Sequence, residues 1–524
     1  MVLKTKVRTN FRGQTPGGKP NSGAALLLTV ISLFLITLMT VGVLSLAGGI
    51  IYSNNLQQLR AGAFNIAESG AELAALWLKD QPIPPTDTVQ FNPFGGPVSF
   101  GGGTYNVTIV PDEGNDVNFL KTFWVRSTGT LGGASRTVEI VLRQSSFGRY
   151  AYFTDREVSS ISGGAIWWKA GELVDGPVHS NNTGGSNFKI NYNGSWSPIF
   201  LDMVTGSGPT IDYYPSRPTN EATFKRIFAD GSKGFRLGTP RIELPPTTSV
   251  QKEAAWGGTS FPAVNGVYLQ ADSGGGIYIR GDAAMTLGVD GSGNQTITVV
   301  QGVNTTTITV DKNSGTCSAT GPVGPGSPTS TSSLPNGVIF CAGNITSLSG
   351  TVADNKVSGG DIVVPNSMTI ATEVSNTDPA LNKDITITGN LVYKTRPDKT
   401  QPPDAAVNLA AGTLGLVARN VKIAGTAPQN LEINAVMMAG GQNTDGSFYV
   451  TNYSSKTPPG TLSVLGGIIQ KSRGPVGTFN SYTGTTVTGY SKNYRYDPRL
   501  AANPPPFYPT TGQYERLSWQ VLPD

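Results

Sequence analysis

Cysteine, histidine and charge are all scarce in this chain. Its 524 residues include two cysteines and one histidine, and Asp, Glu, Lys and Arg together make up 14%. That supply is too thin for the usual structural zinc site, which draws four ligands mainly from Cys and His. A net charge of +4, much of it in the first 23 residues, is too small and diffuse to point to nucleic acid. There is no Walker A loop, no GxGxxG after a strand, no HExxH and no GxSxG. Acidic pairs that could serve glycoside cleavage are scattered and cannot be told from turn-forming Asp. The expectation is a non-enzymatic protein with no cofactor and no metal.

What is abundant is glycine, 66 residues, and proline, 36. With so little charge, that profile suits a turn-rich, extracytoplasmic β protein. The length allows about three to four domains.

The chain is organised around residues 24–52, AALLLTVISLFLITLMTVGVLSLAGGIIY, which contain no charged residue. A bilayer core about 30 Å thick needs roughly 20 apolar residues in helical form, so this run spans it. Lys4, Lys6, Arg8, Arg12 and Lys19 precede it without an acid, which predicts a cytoplasmic N-terminus and an exported remainder. The run is longer than the 7–15 residues or so of a signal-peptide core, although Ser45-Leu46-Ala47 would suit secretory cleavage. Beyond it, Leu56, Leu59, Ala63, Ile66, Ala67, Ala71, Ala74, Trp77 and Leu78 keep helical spacing on one face until Pro82, Pro84 and Pro85 stop the helix. Gly42, Gly48 and Gly49 are expected to loosen it.

The basic leader, Gly23 directly before the apolar run, the amphipathic continuation and the stem FNIAESGAELA together resemble a type IV pilin-like protein, nearest to the PilX-type N-terminal region of pilus assembly proteins. The resemblance covers roughly the first 80 residues. It implies cutting by a prepilin peptidase between Gly23 and Ala24, methylation of the new N-terminus, and partners among other pilins. Leu28 stands where pilins usually have Glu, and Ala24 where they have Phe, which points to a minor pilin or a pseudopilin tip subunit. A plain membrane anchor with a stalk is the alternative.

Past Pro82 the period becomes two. Residues 104–110, 123–128 and 136–142 read as strands, with Gly132-Gly133 as a turn. A helix followed by a short antiparallel meander is also what the pilin resemblance implies. Further strand-like runs follow at 266–270, 277–280, 296–300, 305–310, 338–340, 361–364, 384–388, 414–418, 431–437 and 461–469. Their spacing resembles the coils of a β-helix or solenoid, with a sandwich or mixed β head left open. The fold class is therefore mainly β with one long N-terminal helix. The expected divisions are a leader 1–23, a transmembrane helix 24–52, helix and meander 53–145, an irregular aromatic-rich region 146–250, a β-helix-like head 251–472 and a Tyr/Pro-rich extension 473–524. The run WWKAGELVDGPVHSN and the Tyr/Pro-rich tail are similar to segments of uncharacterised bacterial surface proteins, a likeness that carries no assigned chemistry.

Three single features bear on chemistry. His179 has no second histidine and no positioned nucleophile near it in sequence, so a structural role is expected. Asp290-Gly-Ser-Gly-Asn294 imitates half a calcium loop but continues with Gln295 and Gln301 where Gly and Glu are needed, so a turn is expected. Cys317 and Cys341, facing an oxidising compartment, read as a disulfide closing a mobile Pro/Gly/Ser-rich segment at 318–333; two separate buried thiols are the alternative. The functional expectation is a minor pilin or pseudopilin displaying an extracytoplasmic β head for assembly or adhesion, with the inner membrane, other pilins and a surface ligand as partners. The alternative is a surface-binding or carbohydrate-active β-helix anchored by the same helix.

Overall fold

The structure is a computed structural model that describes residues 22–523, except 82–84, 86–88, 114, 116–118, 183–186, 195 and 403. The N-terminal leader therefore lies outside the described residues, apart from its last two positions.

One helix, Ser22–Lys79, runs for 58 residues, about 87 Å at 1.5 Å per residue. It passes through Gly42, Gly48 and Gly49 without a break, contrary to the expected loosening. Each glycine costs up to about 1 kcal/mol relative to Ala. Opening the ladder would strand amide and carbonyl groups among apolar side chains, which costs more.

The outer half of the helix buries Ala63, Ile66, Ala67, Ala71, Ala74 and Leu78. They pack on an antiparallel sheet built from Val98–Phe100, Gly103–Pro111, Thr122–Leu131 and Ala134–Ser146, in chain order. Tyr105, Val107, Ile109, Phe123, Val125 and Ile140 supply the facing side of this core. Gly132 and Gly133, with φ of 54° and 85°, form the two-residue turn between the last pair, a geometry that favours glycine at both positions. The contact is close because the facing residues are small. A Cβ on Gly129 would lie 2.1 Å from the Ala63 carbonyl oxygen, and one on Gly70 would lie 2.4 Å from Ser127 Oγ. A fifth strand, Thr510–Leu522, comes from the far end of the chain and pairs antiparallel with Ala134–Ser146.

The head is built on one mixed sheet in which parallel ladders run beside antiparallel pairs, such as that of Ala283–Val289 with Gln295–Gln301 and of Gln295–Gln301 with Asn304–Asp311. One ladder stacks Ile277–Arg280, Val338–Cys341, Met368–Thr372, Leu414–Ala418 and the second halves of Asn430–Ala439 and Gly460–Arg473. It then continues, still parallel, into Tyr152–Ser159, Val178–Ser180, Val204–Gly206 and Phe235–Leu237. A second ladder runs through Ala283–Val289, Ile345–Val352, Ile385–Tyr393, Val421–Ile423 and Phe448–Val450. A third joins the first halves of Asn430–Ala439 and Gly460–Arg473 to Thr486–Arg495, Leu173–Asp175 and Ile199–Phe200. The coils enclose one apolar interior in which Ile, Leu, Val and aromatic side chains from successive coils lie against each other.

The stack is not laid down in chain order. The chain joins it at Tyr152, winds to one end at Phe235–Leu237, and then crosses back along the outside. Asn181 Nδ2 donates to the Ile242 carbonyl at 2.8 Å, Gln442 N to Pro245 O at 3.0 Å, and Thr248 Oγ1 to Thr372 O at 2.9 Å. The crossover ends in the short helix Ser249–Trp256, whose Trp256 ring lies 5.4 Å from Tyr278. Winding resumes at the far end and returns until Gly460–Arg473 meets Tyr152–Ser159. Under the crossover lies a second apolar layer that includes Phe153, Tyr278, Phe340, Val417 and Met438, which Leu500 and Tyr508 of the tail also cover. Residues 146–250, expected as a separate irregular region, thus share the ladders of the rest of the head. Apart from the eight-residue Tyr152–Ser159, their strands have two to four residues and are too short to show a period.

Candidate assembly helix and charged seam

Ser22–Lys79 splits into two halves of different character. Leu26, Leu28, Phe34 and Tyr52 are 69%, 66%, 66% and 72% exposed, and no residue of 24–52 is buried. The most apolar stretch has a mean hydropathy of 2.5, and the helix is long and apolar enough to cross a membrane. Its threonine hydroxyls are satisfied internally: Thr29 Oγ1 donates to Leu26 O at 2.8 Å, and Thr37 Oγ1 to Leu33 O and Thr40 Oγ1 to Ile36 O, both at 2.7 Å. That removes the threonine hydroxyls from the polar demand of an otherwise apolar surface, which suits hydrocarbon or another apolar helix. Gly23 and Ala24 fall in the first turn and are exposed. A Cβ on Gly23 would meet nothing within 4 Å, so folding does not require glycine there.

The other half is clamped. Trp77 lies 5.7 Å from Phe91, Phe64 packs edge-on to Trp519 at 6.1 Å, and Glu72 pairs with Arg516. The last two contacts come from the C-terminal strand, so both ends of the chain hold the helix.

His179 is buried on Val178–Ser180. Its Nδ1 lies 2.9 Å from Thr205 Oγ1 and its Nε2 3.0 Å from Asn181 Oδ1, while its ring stacks on Phe153 at 5.3 Å. Burial pushes its pKa below the ordinary imidazole value, against the Asn181 hydrogen bond and the Asp155 charge. The ring is a tie between neighbouring coils. Asp290 accepts from Ser292 N at 2.9 Å and Asn294 N at 2.8 Å, so its carboxylate closes a turn. Among the described residues, no group of three or more His, Cys, Asp or Glu could hold a metal ion.

The expected Cys317–Cys341 disulfide is not formed. Both cysteines are free and buried. Cys317 pairs across strands with Val310 and Thr331, while Cys341 sits between Ile279 and Thr372 in the first ladder. Each thiol fills a place in the apolar interior, and burial pushes both pKa values up to about 12. Nor does the segment between them need pinning. Ser318 pairs with Ser330, Gly324 N donates to Val267 O at 2.8 Å, and Leu269 N donates to Ser327 Oγ at 2.9 Å.

Sequence reasoning missed a cluster of buried charges at the seam between the last coils of the chain and the first. Arg473 Nη1 donates to Glu157 Oε2 at 3.2 Å, with both side chains almost inaccessible. Glu157 also accepts from Ser180 Oγ at 2.7 Å and from Thr154. Lys492 Nζ meets Glu172 Oε1 at 2.8 Å, and the Glu172 carboxylate accepts from Lys169 N at 3.1 Å. Arg473 and Lys492 lie on the Trp168 ring, 4.8 and 4.7 Å from its centre. Arg473 and Glu157 are 316 residues apart, so no local pattern announces them.

A family model described as a domain of unknown function, DUF4900, matches residues 118–208, less than half of the chain. No curated protein matches. Among solved structures, the competence-associated pilin ComZ from Thermus thermophilus is 14% identical over 88% of this chain and 97% of its own, with a TM-score of 0.29. Agreement that loose carries no argument about fold or role.

Proposed function

We propose that the chain is a membrane-tethered subunit of a type IV pilus or related secretion filament. It acts as a minor pilin or pseudopilin at the tip or in the initiating complex, and it displays the β head outside the cytoplasm for assembly or adhesion. One observation carries this reading: a single unbroken helix whose outer half is clamped to a sheet while its inner half is bare and apolar. A helix that only anchored a stalk would have no reason to be held so firmly where it leaves the membrane. In this reading a prepilin peptidase cuts between Gly23 and Ala24 and the new N-terminus is methylated. The bare half then moves from the inner membrane to the helices of other pilins, and the head has no catalytic task. Leu28 offers no carboxylate to a neighbour's terminal amine, and so large a head would crowd a repeating array, so the subunit is scarce in the filament.

The test is the N-terminus of protein taken from its native envelope. It should begin at Ala24, and Gly23→Leu should block the cut while membrane insertion and head folding persist, because position 23 has open space around it. A mature chain starting at Met1 or Gly48 would count against the proposal. The second reading, a surface-binding or carbohydrate-active head on a plain anchor, is favoured by the cavity beside the charged seam. It predicts an uncut leader.

A further inference from the structure

The seam holds an imbalance. Among the described residues, three cations, Lys169, Arg473 and Lys492, interact with two carboxylates, Glu157 and Glu172. All five side chains are buried. An uncompensated charge away from water is costly, and such a group either loses its charge or acquires a partner. The nearby ion pairs do not correct the count. Lys189, which lies 5.6 Å over the neighbouring Trp167 ring, is paired with Asp212 at 2.5 Å.

A cavity of about 250 Å³ opens at this place. Lys169, Glu172 and Lys492 line it, so the surplus positive charge faces it rather than solid core. Lys169 Nζ donates to Ala170 O and Gly484 O, each at 3.2 Å, which leaves one of its three N–H donors over. Each Glu172 oxygen already has a partner, Lys492 on one and the Lys169 amide on the other, so this carboxylate is held in place beside the cavity. The remaining walls include the half-buried rings of Trp167, Tyr453 and Phe479, and exposed Ser162 and Ala165 mark the mouth. The volume is below the roughly 300–1,000 Å³ of drug-sized sites, which limits the occupant to about one ring.

We propose that this cavity binds a single carboxylate-bearing sugar unit, its carboxylate against Lys169 and Lys492 and its C–H face against the aromatic wall. The anion restores the missing negative charge, and its hydrogen bonds to two ammonium groups are charge-assisted and strong for their size. The sugar ring suits the wall because an aromatic face accepts apolar C–H edges while the hydroxyl groups point to the open mouth. The proposal deepens the reading of the head as the displayed, ligand-contacting part. It rests on that reading only for where the ligand is met, since binding of a soluble sugar does not depend on the cut at Gly23.

The experiment uses the full-length chain in detergent micelles, titrated by calorimetry with glucuronate, glucose and acetate as probes. Glucuronate should bind at least about tenfold more tightly than either glucose or acetate, a factor that corresponds to about 1.4 kcal/mol. Titration near pH 8 in two buffers of different ionisation heat should show proton uptake, because the carboxylate draws a proton onto Lys492, whose pKa burial otherwise lowers to about 8. Lys492→Gln should erase the preference for glucuronate over glucose. Phe479→Ala, on the half-buried wall, should weaken glucuronate while leaving the melting temperature unchanged, and it carries the test should Lys492→Gln misfold. Failure to bind glucuronate at millimolar concentration, equal binding of glucose, or no proton uptake would each overturn the proposal. Equal binding of acetate would overturn the sugar assignment.

Discussion

Lys492 places its ammonium between the Trp168 ring and Glu172, and burial pulls its pKa from the usual lysine range down to about 8, with Arg473 and Lys169 adding repulsion. The unfolded chain keeps that proton up to about 10.4. Between these values the unfolded state binds more protons than the folded one, so stability rises with pH across that window. Lys169 shifts in the same direction for the same cause. Buried tyrosines oppose this at higher pH: burial raises Tyr152 and Tyr490 to about 12, so above about pH 10 the folded state holds the extra protons and stability falls. The buried thiols of Cys317 and Cys341, raised to about 12, oppose it from about pH 8.5. The contribution of Lys492 is therefore read as a difference: without added carboxylate, the denaturant midpoint of the parent chain minus that of Lys492→Met should rise between about pH 8 and 10. A difference that stays flat or falls across that window would contradict the buried ammonium. At this scale little was legible in advance, because the partners of His179, Cys317 and Lys492 are supplied by strands distant in sequence.

At the scale of elements, the long helix and the strands Gly103–Pro111, Thr122–Leu131 and Ala134–Ser146 of its sheet were legible, because their patterns repeat over enough residues to stand out, whereas the three-residue Val98–Phe100 was not. Every strand-like run in the head also falls on an observed strand, although the runs at 384–388 and 461–469 stop five and four residues short of the ends of Ile385–Tyr393 and Gly460–Arg473. The crossover was not legible, since an extended segment with one short helix has no period of its own. Thr248 holds it to the ladder, donating to Thr372 O and accepting from Val374 N, both at 2.9 Å. Thr248→Val keeps the shape and deletes both bonds, leaving a buried amide without its acceptor. The expected cost is about 1–3 kcal/mol in equilibrium unfolding. A cost near zero would mean that the crossover is held by apolar contact alone.

For the molecule as a whole, the chain returns to where it began. Gly460–Arg473 lies against Tyr152–Ser159, and Thr510–Leu522 completes the sheet that clamps the long helix. Deleting residues 510–524 should leave Ala134–Ser146 as a bare edge and remove the Trp519 and Arg516 contacts with the helix. The truncated chain should lose protection from proteolysis first around residues 98–146, ahead of the head. Unchanged proteolysis there would show that the C-terminal strand adds nothing to the clamp. What the sequence by itself determined was whatever depends on near neighbours: the apolar span, the helical face with its small residues, the turn glycines and the strand positions. Tertiary structure alone decided which strands became neighbours, that the stack is built out of chain order, that the two cysteines remain apart, and that three cations share a seam with two acids. Hydrophobic periodicity reports which face of an element is buried and is silent about what buries it, so contacts between distant residues appear only once the chain has closed on itself.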